Sequence, residues 1–175
     1  GDGEDRPEEL RLLIDKIIHE LSRISAKQVG RSVVLTGGRT AELLYNDWVK
    51  SSHFESYRCA KFYFTDERCV EPGHEHSNFS MVEAAFSHFI PMSNIFRIRG
   101  EEKIYADEVS RYSALLPLRP DLALFSVGED GHIASLFPNN SALQSEAKVA
   151  FVSCAPKLPS KRITITPRIV KGAVN

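Results

Sequence analysis

The chain has 175 residues, with 42% hydrophobic and 26% charged side chains and a formal net charge of −1. That length and balance suit one ordinary soluble globular domain with a proper core. A near-neutral total disfavours nucleic acid and anionic membrane as partners, while a small anionic ligand remains open because positive charge can still be concentrated locally.

Cys59, Cys69 and Cys154 are odd in number and lie in no CxxC or zinc spacing. They read as free thiols of a reducing compartment, hence a cytoplasmic placement. No apolar run approaches the roughly 20 residues needed to cross a bilayer. The opening Gly-Asp-Gly-Glu-Asp-Arg-Pro is acidic and polar, unlike a signal peptide. It also lacks Met, as a processed chain or a piece of a longer one does.

Pro7-Glu8-Glu9 is a good helix opening, with proline in the first turn and acids where the dipole favours them. Apolar residues from Leu10 to Ile24 recur at helical spacing, so Pro7–Lys27 reads as one amphipathic helix with His19 on its surface. A short strand within Arg31–Thr36 ends at Gly37-Gly38, and a helical pattern follows Arg39-Thr40 through Trp48. Strand, paired glycines, hydroxyl and helix start form an anion-binding design, to which Arg39 adds a guanidinium suited to phosphate. Read plainly, the same residues are a tight turn with Thr40 as N-cap. Neither Walker A nor GxGxxG spacing is present, which disfavours a nucleotide.

Lys61–Thr65 is a second strand, ending at the charged corner Asp66-Glu67-Arg68. His74 and His76 follow in a turn-rich loop, but two His at i, i+2 lack any further ligand pattern, and no metal is expected. Ser77 or Asn78 caps a helix through Phe89. Asn94–Arg97 reads as a short strand and Glu101–Leu116 as a helix closed by Pro117 and Pro120. Leu122–Val127 is then a continuous apolar run, the pattern of a strand buried on both faces. It breaks into Gly128-Glu129-Asp130-Gly131-His132, where two glycines bring backbone close to a ligand and present a carboxylate with an imidazole. Strands at Val149–Ser153 and Arg162–Thr166 follow, and Pro167–Asn175 is too short to assign. The alternation predicts an α/β fold: a doubly wound, mostly parallel sheet flanked by helices on both faces.

Each informative loop follows a strand, so parallel strands would open all three on one edge of the sheet, where ligands of such folds sit. One loop would hold an anion, one would offer carboxylates and a cation, and one an Asp–His pair. The convergence points to an enzyme acting on a small phosphorylated molecule.

Leu35-Thr-Gly-Gly-Arg-Thr40, Thr65-Asp-Glu-Arg-Cys-Val70 with Ser77-Asn78, and Gly128-Glu-Asp-Gly-His-Ile-Ala-Ser-Leu-Phe-Pro138 resemble the three signatures of the 6-phosphogluconolactonases, within the glucosamine-6-phosphate isomerase/6-phosphogluconolactonase family. Lys161-Arg162-Ile-Thr-Ile-Thr166 is similar to that family's Arg-containing strand. The resemblance implies hydrolysis of 6-phosphogluconolactone to 6-phosphogluconate in the oxidative pentose phosphate pathway, with no obligatory cofactor. It implies His132 as the general base that deprotonates water, and Asp130 as the residue orienting it or the substrate. A neutral-range imidazole suits that task. Gly37, Gly38, Arg39 and Thr40 would line the sugar phosphate site, and Arg68 and Arg162 would add positive charge. Asp66 and Glu67 would shape the pocket and contact sugar hydroxyls, and Ser135 would bind substrate or its phosphate.

The chain departs from the family pattern at Ala41, at Ser126-Val127 and at Glu129, whose charge beside Asp130 would raise the pKa of either carboxyl. It stops soon after Arg162, where family members continue with another strand and helix. Residues 1–175 are therefore expected to be a single domain, either incomplete or trimmed at its C-terminal edge. The family also implies fusion to, or association with, glucose-6-phosphate dehydrogenase. The rival within the family is a glucosamine-6-phosphate deaminase/isomerase, but Phe137 stands where that enzyme's Glu lies and Arg68 replaces its aromatic residue. A non-catalytic sugar phosphate binding module would not need His132 with Asp130.

Overall fold

The computed structural model describes residues 7–25 and 31–173. In chain order the elements are α1 (Glu8–Ser25), β1 (Ser32–Leu35), α2 (Arg39–Trp48), β2 (Lys61–Phe64), β3 (Asp66–Arg68), α3 (Asn78–Phe86), α4 (Tyr105–Leu115), β4 (Leu122–Ala123), β5 (Val149–Val152), β6 (Arg162–Ile165) and α5 (Pro167–Ala173). Short 3₁₀ helices lie at Ser52–Tyr57, Met92–Asn94 and Ser141–Gln144. The expected end of the first helix at Lys27 falls outside the described residues.

Two three-stranded sheets form the frame. The first has the order β2-β1-β4 and is parallel throughout, with Val33 opposite Phe62 and Leu122. The second, β3-β6-β5, is antiparallel. The α/β class with a parallel sheet is as expected; the antiparallel sheet is an addition that local patterning did not announce. Helix α2 packs against both α1 and α3, and α4 lies against β5.

The apolar faces read from the sequence bury as their spacing demands. Ile14, Ile18 and Leu21 of α1 are buried, as are Val33, Val34 and Leu35 of β1 and Phe62 and Phe64 of β2. Trp48 closes α2 with its ring edge-on to Phe54 at 5.0 Å and Tyr57 at 4.9 Å, favourable geometry for aromatic quadrupoles. Two buried phenols tie helices to strand ends. Tyr45 of α2 donates to the Thr36 carbonyl and accepts its N–H, and Tyr112 of α4 does the same with Phe64.

Three expectations change. Leu122–Val127 is not a strand buried on both faces: only Leu122–Ala123 pairs within the parallel sheet, at its edge, while Val127 is 66% exposed and bridges Ile133 instead. The last rung is the Leu124 N–H on the Val34 carbonyl, after which the chain turns away. Asn94–Arg97 contributes one parallel bridge, Ile95 with Phe62, rather than a strand. The Asp66-Glu67-Arg68 corner is itself a strand, and that has consequences for the site.

Candidate active site

Around the carboxyl end of the parallel sheet lies a cleft of about 200 Å³. Its lining comes from Thr36, Gly37 and Gly38 after β1, Asp66 and Arg68 on β3, Asn78 at the start of α3, Ser126, Gly128, His132 and Ala134 after β4, and Arg162 on β6. A larger open depression of about 710 Å³ between Leu143 and Lys171 carries none of the three motifs, so chemistry rather than volume marks the site.

The β1–α2 turn needs glycine for two different reasons. Gly38 has φ +103°, a conformation costly for residues with a Cβ, and a Cβ on Gly37 would strike the Asn78 carboxamide. Gly38, not Thr40, is the N-cap of α2, and among the described residues no side chain caps that helix. Its first-turn N–H groups are therefore left for water or a ligand.

The Gly128–His132 loop is closed by the Gly128 N–H on the His132 carbonyl and the Gly131 N–H on the Gly128 carbonyl, with Gly131 at φ +84°. A Cβ on Gly128 would collide with the imidazole. Asp130 Oδ1 accepts from the His132 backbone N–H at 3.1 Å and sits 2.5 Å from Nδ1. This places the proton on Nδ1 and leaves Nε2 as an acceptor. The hydrogen bond from His132 holds the Asp130 carboxyl below its ordinary range. The expected upward push from Glu129 is therefore overridden, because a donor in contact outweighs a solvated like charge.

Strand β3 sorts its three charges by alternation. Asp66 and Arg68 line the cleft, whereas Glu67 points the other way. Asp66 accepts from the hydroxyls of Thr65 at 2.7 Å and Ser135 at 2.6 Å. Glu67 is buried, and its oxygens accept the N–H groups of Arg68, Asn78 and Phe79 and the Ser77 hydroxyl. Burial raises its pKa, with those donors working against the shift. With four donors on two oxygens, Glu67 is not placed for the sugar contact expected of it.

Antiparallel pairing sets Arg68 directly opposite Arg162. Like charges across a strand pair repel, so this register carries an electrostatic cost that an anion between them would relieve. Burial, then the neighbouring Arg68, lowers the proton affinity of Arg162. The Arg162 guanidinium uses Nε and Nη2 on the carbonyls of Pro159 and Lys157. It lies 5.3 Å from the Phe137 ring, which also lies 4.5 Å from the His132 ring. Arg68 donates Nη1 to the His76 carbonyl at 2.9 Å, while its buried Nε has no partner among the described residues.

The structure thus brings His132, Gly37, Gly38, Asp66, Arg68 and Arg162 to one cleft, with Asp130 bonded behind His132. Arg39 is set apart, exposed and paired with Glu42 at 3.2 Å, and Thr40 is exposed beside it. Ser135 is fully buried and reaches the site only through Asp66. Asn78, Thr36 and Ser126 line the cleft without having been singled out for it; Ser77-Asn78 within the second motif was the available signal. Among the described residues no cluster of three or more His, Cys, Asp or Glu could hold a metal ion, and no helix is long and apolar enough to cross a membrane. The three cysteines are unbridged, and burial pushes the Cys69 thiol up to about 12.

Known proteins resemble this chain in sequence and in fold. The family profile described as Glucosamine-6-phosphate isomerases/6-phosphogluconolactonase matches residues 4–175. The chain is 29% identical to a 6-phosphogluconolactonase of Treponema pallidum, over 81% of this chain and 63% of that protein. It is 32% identical to that of Haemophilus influenzae, over 91% of this chain and 72% of the relative. The crystal structure of 6-phosphogluconolactonase from Thermotoga maritima superposes with a TM-score of 0.80 at 23% identity, covering 91% of this chain and 74% of that one, a likeness of fold. The chain therefore spans somewhat less than two thirds of the Treponema relative. Three motifs in order, their convergence on one cleft and a profile match across nearly the whole length have one common explanation: the chain belongs to the glucosamine-6-phosphate isomerase/6-phosphogluconolactonase family.

Proposed function

We propose that this chain, as a single domain, hydrolyses 6-phosphogluconolactone to 6-phosphogluconate without a cofactor. The observation that carries the reading is the opposed Arg68–Arg162 pair in the same cleft as the Asp130–His132 dyad. Two guanidiniums and the uncapped start of α2 suit a phosphate dianion. The dyad suits proton transfer at the other end of the same ligand.

In this mechanism water is held against His132 and attacks the lactone carbonyl carbon. As the new C–O bond forms, His132 Nε2 takes the water proton, while Asp130 steadies Nδ1–H and the charge developing on the ring. The tetrahedral adduct collapses by breaking the bond to the ring oxygen, and the imidazolium returns its proton to that oxygen. The ring opens to the hydroxy acid. Phe137, packed between imidazole and guanidinium, is an apolar side chain that cannot relay protons, which weighs against deaminase chemistry.

A glucose-6-phosphate dehydrogenase, fused or associated, would supply the lactone; co-purification of the two activities would test that link. The principal test is lactone hydrolysis by purified protein measured against the spontaneous rate. Acceleration abolished in His132→Ala supports the reading, and a rate equal to the uncatalysed one in the unaltered protein removes it.

A further inference from the structure

Asn78 enters the cleft from the first residue of α3, and its environment fixes which way it faces. Its Nδ2 donates to the Asp66 carbonyl at 3.0 Å. A carbonyl can only accept, so the amide nitrogen is the end turned to Asp66 and Oδ1 is turned away. That oxygen lies over Gly37: it is the first atom a Cβ there would strike. Asn78 is 4% exposed, yet Oδ1 accepts no hydrogen bond from the described residues.

The orientation is held from below by Glu67. Its Oε1 accepts from the Arg68 and Asn78 N–H groups, each at 2.8 Å. Its Oε2 accepts from the Phe79 N–H at 2.9 Å and the Ser77 hydroxyl at 3.1 Å. One buried carboxylate thus locks both ends of the connection between β3 and α3, which is the preorganisation a binding group needs from its support.

An acceptor in this position is matched to a donor. A phosphate dianion has none to offer, whereas a sugar hydroxyl does. We propose that Asn78 Oδ1 accepts a hydrogen bond from a hydroxyl of the bound polyol phosphate, and that Glu67 is the positioning residue that holds it there. The inference rests on the reading of the cleft as a phosphorylated sugar site, and divides that site into an anion end at Arg68 and Arg162 and a hydroxyl end at Asn78.

The test is calorimetric binding of 6-phosphogluconate and, separately, inorganic phosphate, with melting curves recorded on each variant. Asn78→Ala should weaken 6-phosphogluconate about tenfold, as loss of one ligand hydrogen bond predicts, and leave inorganic phosphate within about twofold. Unchanged 6-phosphogluconate affinity overturns the proposal, and so does an equal loss of both ligands. Glu67→Gln should reproduce the selective loss, and the double variant should be no weaker than the worse single one. Additive losses overturn the positioning role. If Glu67→Gln does not fold, Ser77→Ala removes one of the four donors and should weaken 6-phosphogluconate about two- to threefold with phosphate unaffected. Unaltered affinity there also overturns the positioning role. Because no turnover is read, a protein that binds both ligands without hydrolysing lactone would refute the proposed activity alone.

Discussion

Two helices start beside the cleft, and they treat their free N–H groups in opposite ways. At α3 the protein supplies its own anion: Glu67 takes the Asn78 and Phe79 N–H groups, and Ser77 caps Ser80. At α2 there is no side-chain cap, Gly38 stands at φ +103°, and the first turn opens beside two arginines. A helix start attracts negative charge wherever it is. The difference separates a helix start neutralised from within from one that opens beside two arginines, the start that the proposed function assigns to the phosphate.

The contrast can be broken at several points. His132 belongs to neither helix start, so His132→Ala should abolish turnover by roughly 10²- to 10⁴-fold while 6-phosphogluconate still binds. Rates near those of the unaltered protein would remove His132 from the mechanism. Glu67→Ala attacks the filled start. It strands four donors in a buried place and should cost about 3 kcal/mol or more of stability, read from denaturant unfolding. A loss below about 1 kcal/mol would mean that water replaces the carboxylate easily. Arg68→Ala attacks the open start. We expect KM to rise about tenfold or more with little change in kcat, as for one charge-assisted contact. An unchanged KM would deny Arg68 its phosphate role.

The smallest effects are on pH dependence, where two carboxyls should behave with opposite sign. Burial raises the Glu67 pKa above 4.5, so the folded protein holds more protons than the unfolded chain just above that pH. Stability from this group is greatest at or below pH 4.5 and falls as pH rises through the shifted value. The melting temperature relative to Glu67→Gln should decline over that window; a flat difference would deny the shift. Asp130 is depressed below 3.8 by its bond from His132. Its contribution is present above pH 3.8 and fades as pH falls through the lower value, so Asp130→Asn should lose its penalty in strong acid.

Much of the site was legible because its chemistry is local. The Gly37-Gly38 turn, the Asp130–His132 pair two residues apart and the serine cap of α3 are all settled by neighbours in sequence, and the three motifs could be placed after strands from apolar runs alone. The misreadings share a different cause. Leu122–Val127 has the composition of a central strand, but burial depends on what lies beside it, and β4 pairs on one side only among the described residues. Arg39 sits in the right motif yet turns to Glu42, because a helix sends successive side chains to different faces.

The sequence by itself determined the α/β class, the positions where backbone must turn through glycine and the short-range contact of Asp130 with His132. Only the tertiary structure decided which charges meet. By pairing β3 with a strand almost a hundred residues later, it placed Arg68 against Arg162, sent Asp66 to the cleft and turned Glu67 away to hold Asn78. The reason is physical: side-chain facing in a strand is fixed by pairing register, and register is a long-range choice that no local pattern encodes.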